Sequence, residues 1–466
     1  MRAAAPRNRP PAFPLRSPAA KTYLRGFGNE FESEALPGSL PRGQNNPQRC
    51  PRGLYAEQLS GSSFTMTRSK NLRSWLYRTM PTVDEEEFVQ DDEDVFKHVA
   101  TKYDHLDGNP NQVCCVAPLF LVPCLTDILQ LRWKPAPLAP DGTPVTFLQG
   151  LWSIAGAGDP SAKKGVAIYM YACNTSMKDA FYNSDGDLLI VPQTGSLSIR
   201  TEFGQLDVEQ NEICVIPRGI VFRVEQQDSA RGYMLESFQG HFCLPDLGPI
   251  GSNGLANARD FEYPTASFEE VQGDVKIYNK FCGKLFKKIS HHSPFNVVAW
   301  HGNYLPFKYN LTTFCTMNTV SYDHPDPSIF TVLSCPSETA GESAVDFVIF
   351  PPRWMVAEDT FRPPYFHRNY MSEFMGMISG KYDAKVGFSA GGASLHCCMS
   401  AHGPDRETTE RAEEAEMSPV KFEDGLAFMF ETSAILKPTP QAMSCPFRDT
   451  QYKVRDVASV KEGRGR

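Results

Sequence analysis

Short apolar runs separated by turn residues dominate the chain between residues 165 and 225. VAIYMYACN, DLLIVPQTGSLSIRTEFG and ICVIPRGIVFRVE are alternating or continuous apolar runs, punctuated by Gly, Asp-Gly or Pro. Runs of this length, rich in β-branched and aromatic residues, predict strands and not helices. The 466 residues also include 37 prolines and 34 glycines, which favour many turns. The chain is therefore predicted to be mainly β.

Two turns in this segment, in DGDLLIVPQTG and NEICVIPRG, are typical of a cupin-like jelly roll. The segment contains no histidine, so we expect its sheets to form a scaffold without metal. A chain of 466 residues can bury a large core, and its length predicts two or three domains.

The stretch FRPPYFHRNYMSEFMG, residues 361–376, places His367 and Glu373 six positions apart. On one extended or gently bent strand these side chains point to the same face, whereas six helical residues turn through about 600° and separate them. Pro363 and Pro364 disfavour a helix that starts upstream. We therefore predict one strand that offers an imidazole and a carboxylate to a common space.

Two more histidines, His396 and His402, follow about thirty residues later with the same spacing. Two imidazoles and one carboxylate on one side of a metal form the facial arrangement of non-haem Fe(II) oxygenases, which leaves positions open for substrate and O₂. A His and a Glu at even spacing also occur by chance in many strands. Seven of the ten histidines fall within residues 291–402, however, and such a cluster favours a metal pocket.

Composition argues against several classes of protein. The formal net charge is −8, with lysine and arginine well mixed and no basic stripe, so no nucleic-acid partner is expected. No apolar run is long enough to span a bilayer, so no membrane partner is expected either. Thirteen cysteines without a CxxC pair indicate reduced thiols in a reducing compartment.

Three segments stand apart from the predicted fold. Residues 1–21 contain arginines and no acidic residue, as a mitochondrial transit segment would, but their prolines would interrupt its helix; we predict a disordered extension. Residues 446–466 are charged and are predicted to form a mobile tail.

Residues 113–130, VCCVAPLFLVPCLTDILQ, are an apolar insertion between polar flanks. We hypothesise that this insertion is a translated intron, since Val-Cys, Leu-Thr and Gln can be encoded within donor, branch and acceptor sequences. A buried strand is the alternative.

Long sequence blocks in a fixed order run from about residue 22 to residue 435. They include GFGNEF, GQNNPQ, LYAEQLSGS, NSDGDLLIVPQ, DLGPIGSNGLANARDF, FNVVAWHGNY, DHPDPSIFTVL, DFVIFPPRW, FRPPYFHRN, MSEFMG and AHGPD. Together these blocks resemble the homogentisate 1,2-dioxygenase family. The resemblance implies an enzyme of tyrosine and phenylalanine catabolism that uses a single Fe(II) and opens the ring of homogentisate with O₂ to give maleylacetoacetate.

The same resemblance implies the organisation of the chain. It implies a large β-rich N-terminal domain, residues 22–305, and a smaller cupin-like C-terminal domain, residues 306–445, that carries the metal. It also implies a homo-oligomer, a hexamer made of two trimers. We expect the protein to act in the cytoplasm, with mitochondrial import through residues 1–21 the less favoured alternative.

The resemblance further assigns roles to individual residues. His367, Glu373 and His402 match the iron ligands of the family. His324, in YDHPDPS, matches the histidine taken to act as acid–base. Tyr382 matches the tyrosine that contacts the substrate, and His402 lies beside the substrate as well. The remaining candidates near the pocket, with less defined roles, are His396, His301 and Tyr365.

Two departures from the family pattern fall near these residues. Phe366 stands where a second tyrosine is common, and the loop 386–393 is one residue short.

Two other interpretations of the function stay open. One is a non-catalytic cupin that binds a small molecule or serves for storage, and the other is a misspliced inactive product that carries residues 113–130. Iron binding and O₂ uptake with homogentisate distinguish the enzyme from the non-catalytic cupin.

Overall fold

The computed structural model describes residues 22–83, 86–106, 130–226, 228–246, 255–382, 384 and 387–450. The predicted disordered extension, residues 1–21, lies outside the described residues. The predicted intron does so as well, apart from the backbone of its last residue, Gln130. The described part is mainly β, as the apolar runs predict.

The strands are numbered in chain order. The earlier ones are β1 (Tyr23–Arg25), β2 (Phe31–Glu34), β3 (Tyr55–Ser60), β4 (Arg73–Arg78), β5 (Val89–Gln90), β6 (Gln130–Trp133), β7 (Leu151–Asp159), β8 (Lys164–Cys173), β9 (Ala180–Asn183), β10 (Asp187–Thr194), β11 (Leu197–Thr201), β12 (Gly204–Val208), β13 (Glu212–Ile216), β14 (Phe222–Glu225) and β15 (Ala230–Ser237). The later ones are β16 (Phe261–Pro264), β17 (Gln272–Phe281), β18 (Lys284–His292), β19 (Val297–Gly302), β20 (Phe307–Asn310), β21 (Thr331–Pro336), β22 (Ser343–Phe350), β23 (Arg353–Met355), β24 (Ser372–Gly380), β25 (Ala393–His396), β26 (Val420–Phe422), β27 (Gly425–Thr432) and β28 (Lys437–Pro438).

Two large sheets form the scaffold. A nine-stranded sheet has the order β1-β16-β20-β13-β10-β15-β8-β7-β28, and a seven-stranded sheet has the order β12-β11-β14-β9-β17-β18-β5. The strands predicted between residues 165 and 225 are confirmed as β8 to β14, and their apolar residues are buried because both faces of β8, β10 and β13 are covered. Smaller sheets join β2-β19-β4-β3 and β23-β26.

A six-stranded antiparallel sheet, here called the site sheet, has the order β21-β22-β27-β24-β25-β6. Its central strands β24 and β27 pair from Ser372↔Thr432 to Gly380↔Gly425. Glycine is required at position 376, because a Cβ there would lie 2.3 Å from the ring of Phe428 on the neighbouring strand. The site sheet is therefore closely packed on the face that meets the scaffold.

One continuous core joins the site sheet to the nine-stranded sheet. Tyr233 of β15 packs edge-on against Phe428 of β27, with ring centroids 4.9 Å apart. The Tyr233 hydroxyl donates to the Gly392 carbonyl oxygen at 2.8 Å, just before β25. Each phenylalanine or tyrosine buried here removes a large apolar surface from water, and the ring pairs add directional contacts. The scaffold thus fixes the position of β24 and β25.

Helices are short. Helix α1 spans Arg406–Glu414, and the Asp405 carboxylate caps it by accepting the Thr408 N–H at 2.9 Å. A second helix is α2 (Pro440–Ser444). Among the described residues, no helix has the length and apolar character needed to cross a membrane. The cysteines in the described part of the chain are all free thiols, as predicted.

The start of the predicted mobile tail is part of the fold. The Phe447 carbonyl oxygen accepts the Lys134 N–H at 2.8 Å, and the Asp449 N–H donates to the Arg132 carbonyl oxygen at 2.9 Å. The tail prediction therefore does not hold for residues 447–449, because they bond to β6 and the residue after it. Residues 451–466 lie outside the described part.

Candidate metal centre

The predicted metal ligands come from three different places in the chain. Glu373 is the second residue of β24, in the middle of the site sheet, and its side chain is buried. His367 and His402 lie in loops and pair as an isolated bridge, with N···O distances of 2.9 and 3.0 Å. The prediction that His367 and Glu373 share one strand is wrong, because β24 begins only at Ser372. The bridge to His402 brings His367 beside Glu373.

The three side chains converge on one point. His367 Nε2 lies 3.4 Å from Glu373 Oε1, and His402 Nε2 lies 2.9 Å from Glu373 Oε2. One donor atom from each of the three residues lies within 4.8 Å of the others. This spacing fits a single metal ion bound by two imidazole nitrogens and one carboxylate oxygen.

Backbone carbonyls fix the tautomers of both histidines. His367 Nδ1 lies 2.8 Å from the Tyr365 carbonyl oxygen, and His402 Nδ1 lies 2.9 Å from the Ser400 carbonyl oxygen. A carbonyl oxygen only accepts, so each Nδ1 carries the proton and each Nε2 keeps its lone pair for a metal. The donor set therefore fits a divalent metal ion without further rearrangement of the rings.

The imidazoles also stabilise the Glu373 carboxylate. Burial would raise the pKa of Glu373, but the adjacent imidazoles of His367, His396 and His402 outweigh burial and hold its pKa well below the usual range. The carboxylate is therefore charged and available to a cation at neutral pH. Across the strand pair, burial and the charge of Glu373 raise the pKa of Glu431 to about 7.

His396 lies beside the three ligands but outside their group. Its ring is 1% exposed and stacks on His402 with centroids 4.2 Å apart. His396 Nδ1 lies 3.2 Å from Glu373 Oε2, so it can donate to the ligand carboxylate. The group of mutually close donor atoms consists of His367, Glu373 and His402, and His396 contacts that group through Glu373.

A cavity of about 500 Å³ opens over the metal ligands. Its apolar lining includes Phe330, Phe350, Met375 and Met429, and its polar lining includes His324, Tyr365 and Tyr382. That volume suits a small aromatic molecule enclosed by apolar side chains with a few polar groups.

The structure places most of the predicted pocket residues in this cavity. His324 Nδ1 lies 2.8 Å from the Pro325 carbonyl oxygen, which leaves His324 Nε2 as a proton acceptor. The Tyr365 hydroxyl donates to Asp326 Oδ1 at 2.5 Å. Tyr382 packs edge-on against Phe350, with centroids 6.1 Å apart. His301 is not brought to this cavity: it lies on β19 with Nε2 3.1 Å from the Tyr77 hydroxyl.

Phe366, where the resemblance implies a second tyrosine, is not among the residues that line the cavity. It is 52% exposed and covers Gly403, where a Cβ would lie 2.4 Å from the Phe366 ring. The missing hydroxyl therefore does not alter the lining. The short 386–393 loop falls partly outside the described residues.

A second group of acidic side chains does not compete as a metal site. Asp91, Asp92 and Glu93 also lie close together, but Glu93 Oε1 is 2.7 Å from Lys276 Nζ and 2.9 Å from Lys287 Nζ. These surface carboxylates already have cationic partners.

Two residues of the site were not identified from sequence. Asn369 Nδ2 donates to Glu373 Oε1 at 2.8 Å and to Glu431 Oε1 at 2.6 Å. Asn369 had a local signal, since an asparagine between two candidate ligands often turns the chain. Glu431 had none, because only the register of β24 and β27 places it opposite Glu373.

Comparisons with known proteins cover nearly the whole chain. The family model described as homogentisate 1,2-dioxygenase N-terminal matches residues 22–311, and the model described as homogentisate 1,2-dioxygenase C-terminal matches residues 312–462. A homogentisate 1,2-dioxygenase from Drosophila melanogaster is 54% identical over 427 residues, which is 90% of this chain and 92% of the relative. One from Pseudomonas fluorescens (strain Pf0-1) is 51% identical over 436 residues, 93% of this chain and 95% of the relative.

A solved structure, a cupin-2 domain containing protein from Shewanella frigidimarina, matches 16% of this chain and 70% of its own length, at 15% identity and a TM-score of 0.15. The family matches do not favour the alternative of a non-catalytic binding or storage cupin.

Proposed function

Since the chain belongs to the homogentisate 1,2-dioxygenase family, we propose that His367, Glu373 and His402 hold one Fe(II) ion at which homogentisate is opened by O₂ to maleylacetoacetate. The protein is thus a ring-cleaving dioxygenase of tyrosine and phenylalanine catabolism. The observation that carries the ligand assignment is the convergence of two lone-pair Nε2 atoms and a charged carboxylate within 4.8 Å under a cavity.

Iron(II) suits both this donor set and the reaction. Two neutral imidazoles and one carboxylate leave a divalent ion with a net positive charge that attracts an anionic quinol. A ferrous ion held there would supply the redox chemistry that ring opening by O₂ requires. His367, Glu373 and His402 would hold it at the cavity that the substrate enters.

His324 is proposed as the acid–base. Its Nδ1–H is committed to the Pro325 carbonyl oxygen, so Nε2 is left as an acceptor on a side chain that lines the cavity. An imidazole nitrogen with a free lone pair can take a proton from a ring hydroxyl and return it later. Asp326 is less suited, because its carboxylate already accepts the Tyr365 hydroxyl.

Other cavity residues bind and shield the substrate. Tyr382 is proposed to contact the substrate through its hydroxyl, and its packing against Phe350 and Phe388 holds the ring in place. Phe330 and Met429 add apolar lining that fits an aromatic ring and excludes water. His402 is proposed to lie beside the substrate, because it borders the same cavity as the ligand cluster.

The first experiment is oxygen uptake by the full chain. Protein reconstituted anaerobically with Fe(II) is expected to retain stoichiometric metal and to consume one O₂ per homogentisate. Zinc-loaded protein is the control, since zinc fills the site but is redox-silent and should consume none. Iron-loaded protein that consumes no O₂ would contradict the proposed function, and a chain that retains no iron would favour a non-catalytic cupin.

Assembly and location are also proposed from the family. We propose a hexamer of two trimers that acts in the cytoplasm. Exposed apolar side chains at Val320 (71%), Tyr322 (67%) and Trp354 (56%) support contact with other subunits. Light scattering coupled to size-exclusion chromatography measures the assembly, and a monomer at micromolar concentration would contradict it.

A further inference from the structure

Asn369 joins two carboxylates beside the ligand cluster. Its amide nitrogen donates one proton to Glu373 Oε1 at 2.8 Å and the other to Glu431 Oε1 at 2.6 Å. Its Oδ1 accepts the Met371 N–H at 2.9 Å, which fixes which end of the amide faces the carboxylates. The backbone also holds it, since the Asn369 carbonyl oxygen accepts the Met399 N–H at 2.7 Å.

Glu431 is the acidic residue that pairs with Glu373 in the site sheet. It lies directly opposite Glu373 on the neighbouring strand, and both line the cavity. Side chains opposite each other on antiparallel strands have Cβ atoms about 4.5–5.5 Å apart. Yet the group of mutually close donor atoms consists of His367, Glu373 and His402, without Glu431.

We propose that Asn369 is a positioning residue that holds Glu431 away from the metal and presents Glu373 through a fixed carboxylate, so that substrate and O₂ find open coordination positions. An amide N–H cannot bind a cation, and it occupies Oε1 of Glu431. Without it, Glu431 gains the freedom to become a fourth protein ligand. The inference rests on the proposed function.

A purely structural role for Asn369 makes a different prediction. The bond from Met371 to Oδ1 forms an Asx turn, and aspartate supports such a turn as well as asparagine does. Asn369→Asp keeps the acceptor but loses both N–H donors. If the turn were its only role, this variant would retain activity.

The test is a double-mutant cycle in the full chain with Asn369→Ala, Glu431→Gln and both together, and with Asn369→Asp as the turn-preserving variant. Two quantities are measured: the dissociation constant for Co²⁺ by chelator competition, and kcat of the Fe(II) protein by O₂ uptake. The matched control is Asn310→Ala, which removes an equivalent Asx turn to Thr312 at 2.9 Å outside the cavity.

We expect N369A and N369D to bind Co²⁺ at least as tightly as wild type but to lose at least 100-fold in kcat. Adding E431Q to N369A should restore kcat at least 10-fold and weaken Co²⁺ binding, because the extra carboxylate ligand is removed. N310A should change neither quantity.

Several results would overturn the inference. The first is a kcat of N369A within twofold of the wild-type value. The second is a loss of kcat in N369A that adding E431Q does not relieve. The third is N369A or N369D protein that no longer binds Co²⁺. If wild-type protein binds Co²⁺ and Fe(II) but consumes no O₂ with homogentisate, the proposed function fails instead.

Discussion

His241 forms a partly buried ion pair with Asp187, and it is not among the residues that line the cavity over the candidate metal centre. Its Nδ1 lies 2.8 Å from Asp187 Oδ2, and its Nε2 lies 2.6 Å from the Gly61 carbonyl oxygen. Neither partner can donate, so the ring makes both hydrogen bonds only as a cation, with a proton on each nitrogen. Burial opposes this charge, but Asp187 outweighs it and raises the pKa of His241. Burial likewise opposes the charge of Asp187, but His241 and Arg218 lower its pKa.

The His241→Leu variant should lose about 3 kcal/mol of unfolding free energy at pH 6, because each charge-assisted hydrogen bond contributes about 1.5–3 kcal/mol. The loss should stay below that of an orphaned buried charge, since Arg218 Nε remains 3.1 Å from Asp187 Oδ1. The folded pKa of His241 lies above its usual 6.5. The contribution is therefore complete below that pH and falls by about 1.4 kcal/mol per pH unit as pH rises toward the folded pKa. The contribution of Asp187 is present above its usual 3.8 and is lost as pH falls.

Urea unfolding followed by tryptophan fluorescence at pH 5.5 to 9 measures the difference between wild type and H241L. Taking the difference in unfolding free energy between the two proteins at each pH cancels the contribution of the ionisable groups that they share. The control is His291→Leu, which removes an ion pair of the same 2.8 Å length to Asp274 from a side chain that is 69% exposed. H291L should change stability little, since solvent screens that pair. A wild-type-to-H241L difference that stays constant across this pH range would refute the argument.

The remaining predictions concern the site and the insertion. The His367→Ala variant should lose most of its bound metal on dialysis, because only two protein donors remain. The control variant, His98→Ala at an exposed position, should keep its metal. Full metal content in H367A would exclude His367 as a ligand. His324→Gln should keep its metal and lower kcat about 10²–10⁴-fold, the usual contribution of a general base; unchanged turnover would remove His324 from that role. Deletion of residues 113–130 should raise soluble yield without changing metal content per chain, because it removes an apolar segment; a mature transcript that retains these codons would contradict the intron hypothesis.

Local sequence pattern was sufficient to predict the strands but not their arrangement in sheets. The continuous apolar run ICVI predicts β13, which is buried on both faces, and the alternation in FRVE predicts β14, which is buried at every second residue. Nothing local predicts that β6 pairs with β25, with Gln130 opposite His396, since these strands are far apart in the chain. The domain boundaries at 305 and 306 stay a prediction for the same reason.

The site was predicted by residue type more reliably than by geometry. His367, Glu373 and His402 do converge, but the reasoning that placed the first two on one strand failed at Asn369, where an Asx turn bends the chain before β24. His301 was placed near the pocket by family resemblance alone and lies on β19 instead. The roles of the residues that converge stay predictions until they are measured.

The strand next to the insertion shows why deletion is compatible with the fold. β6 has the sequence Gln-Leu-Arg-Trp and pairs with β25 along its whole length, so it forms the edge of the site sheet beyond His396. Removing residues 113–130 joins Gln112 to Leu131, and the new junction again reads Gln-Leu-Arg-Trp. The backbone pairing of this strand depends little on which glutamine precedes Leu131. The deleted chain can therefore complete the site sheet, whereas a cut inside Leu131–Trp133 would leave the backbone of β25 unpaired next to Glu373 and should cost metal binding as well as stability.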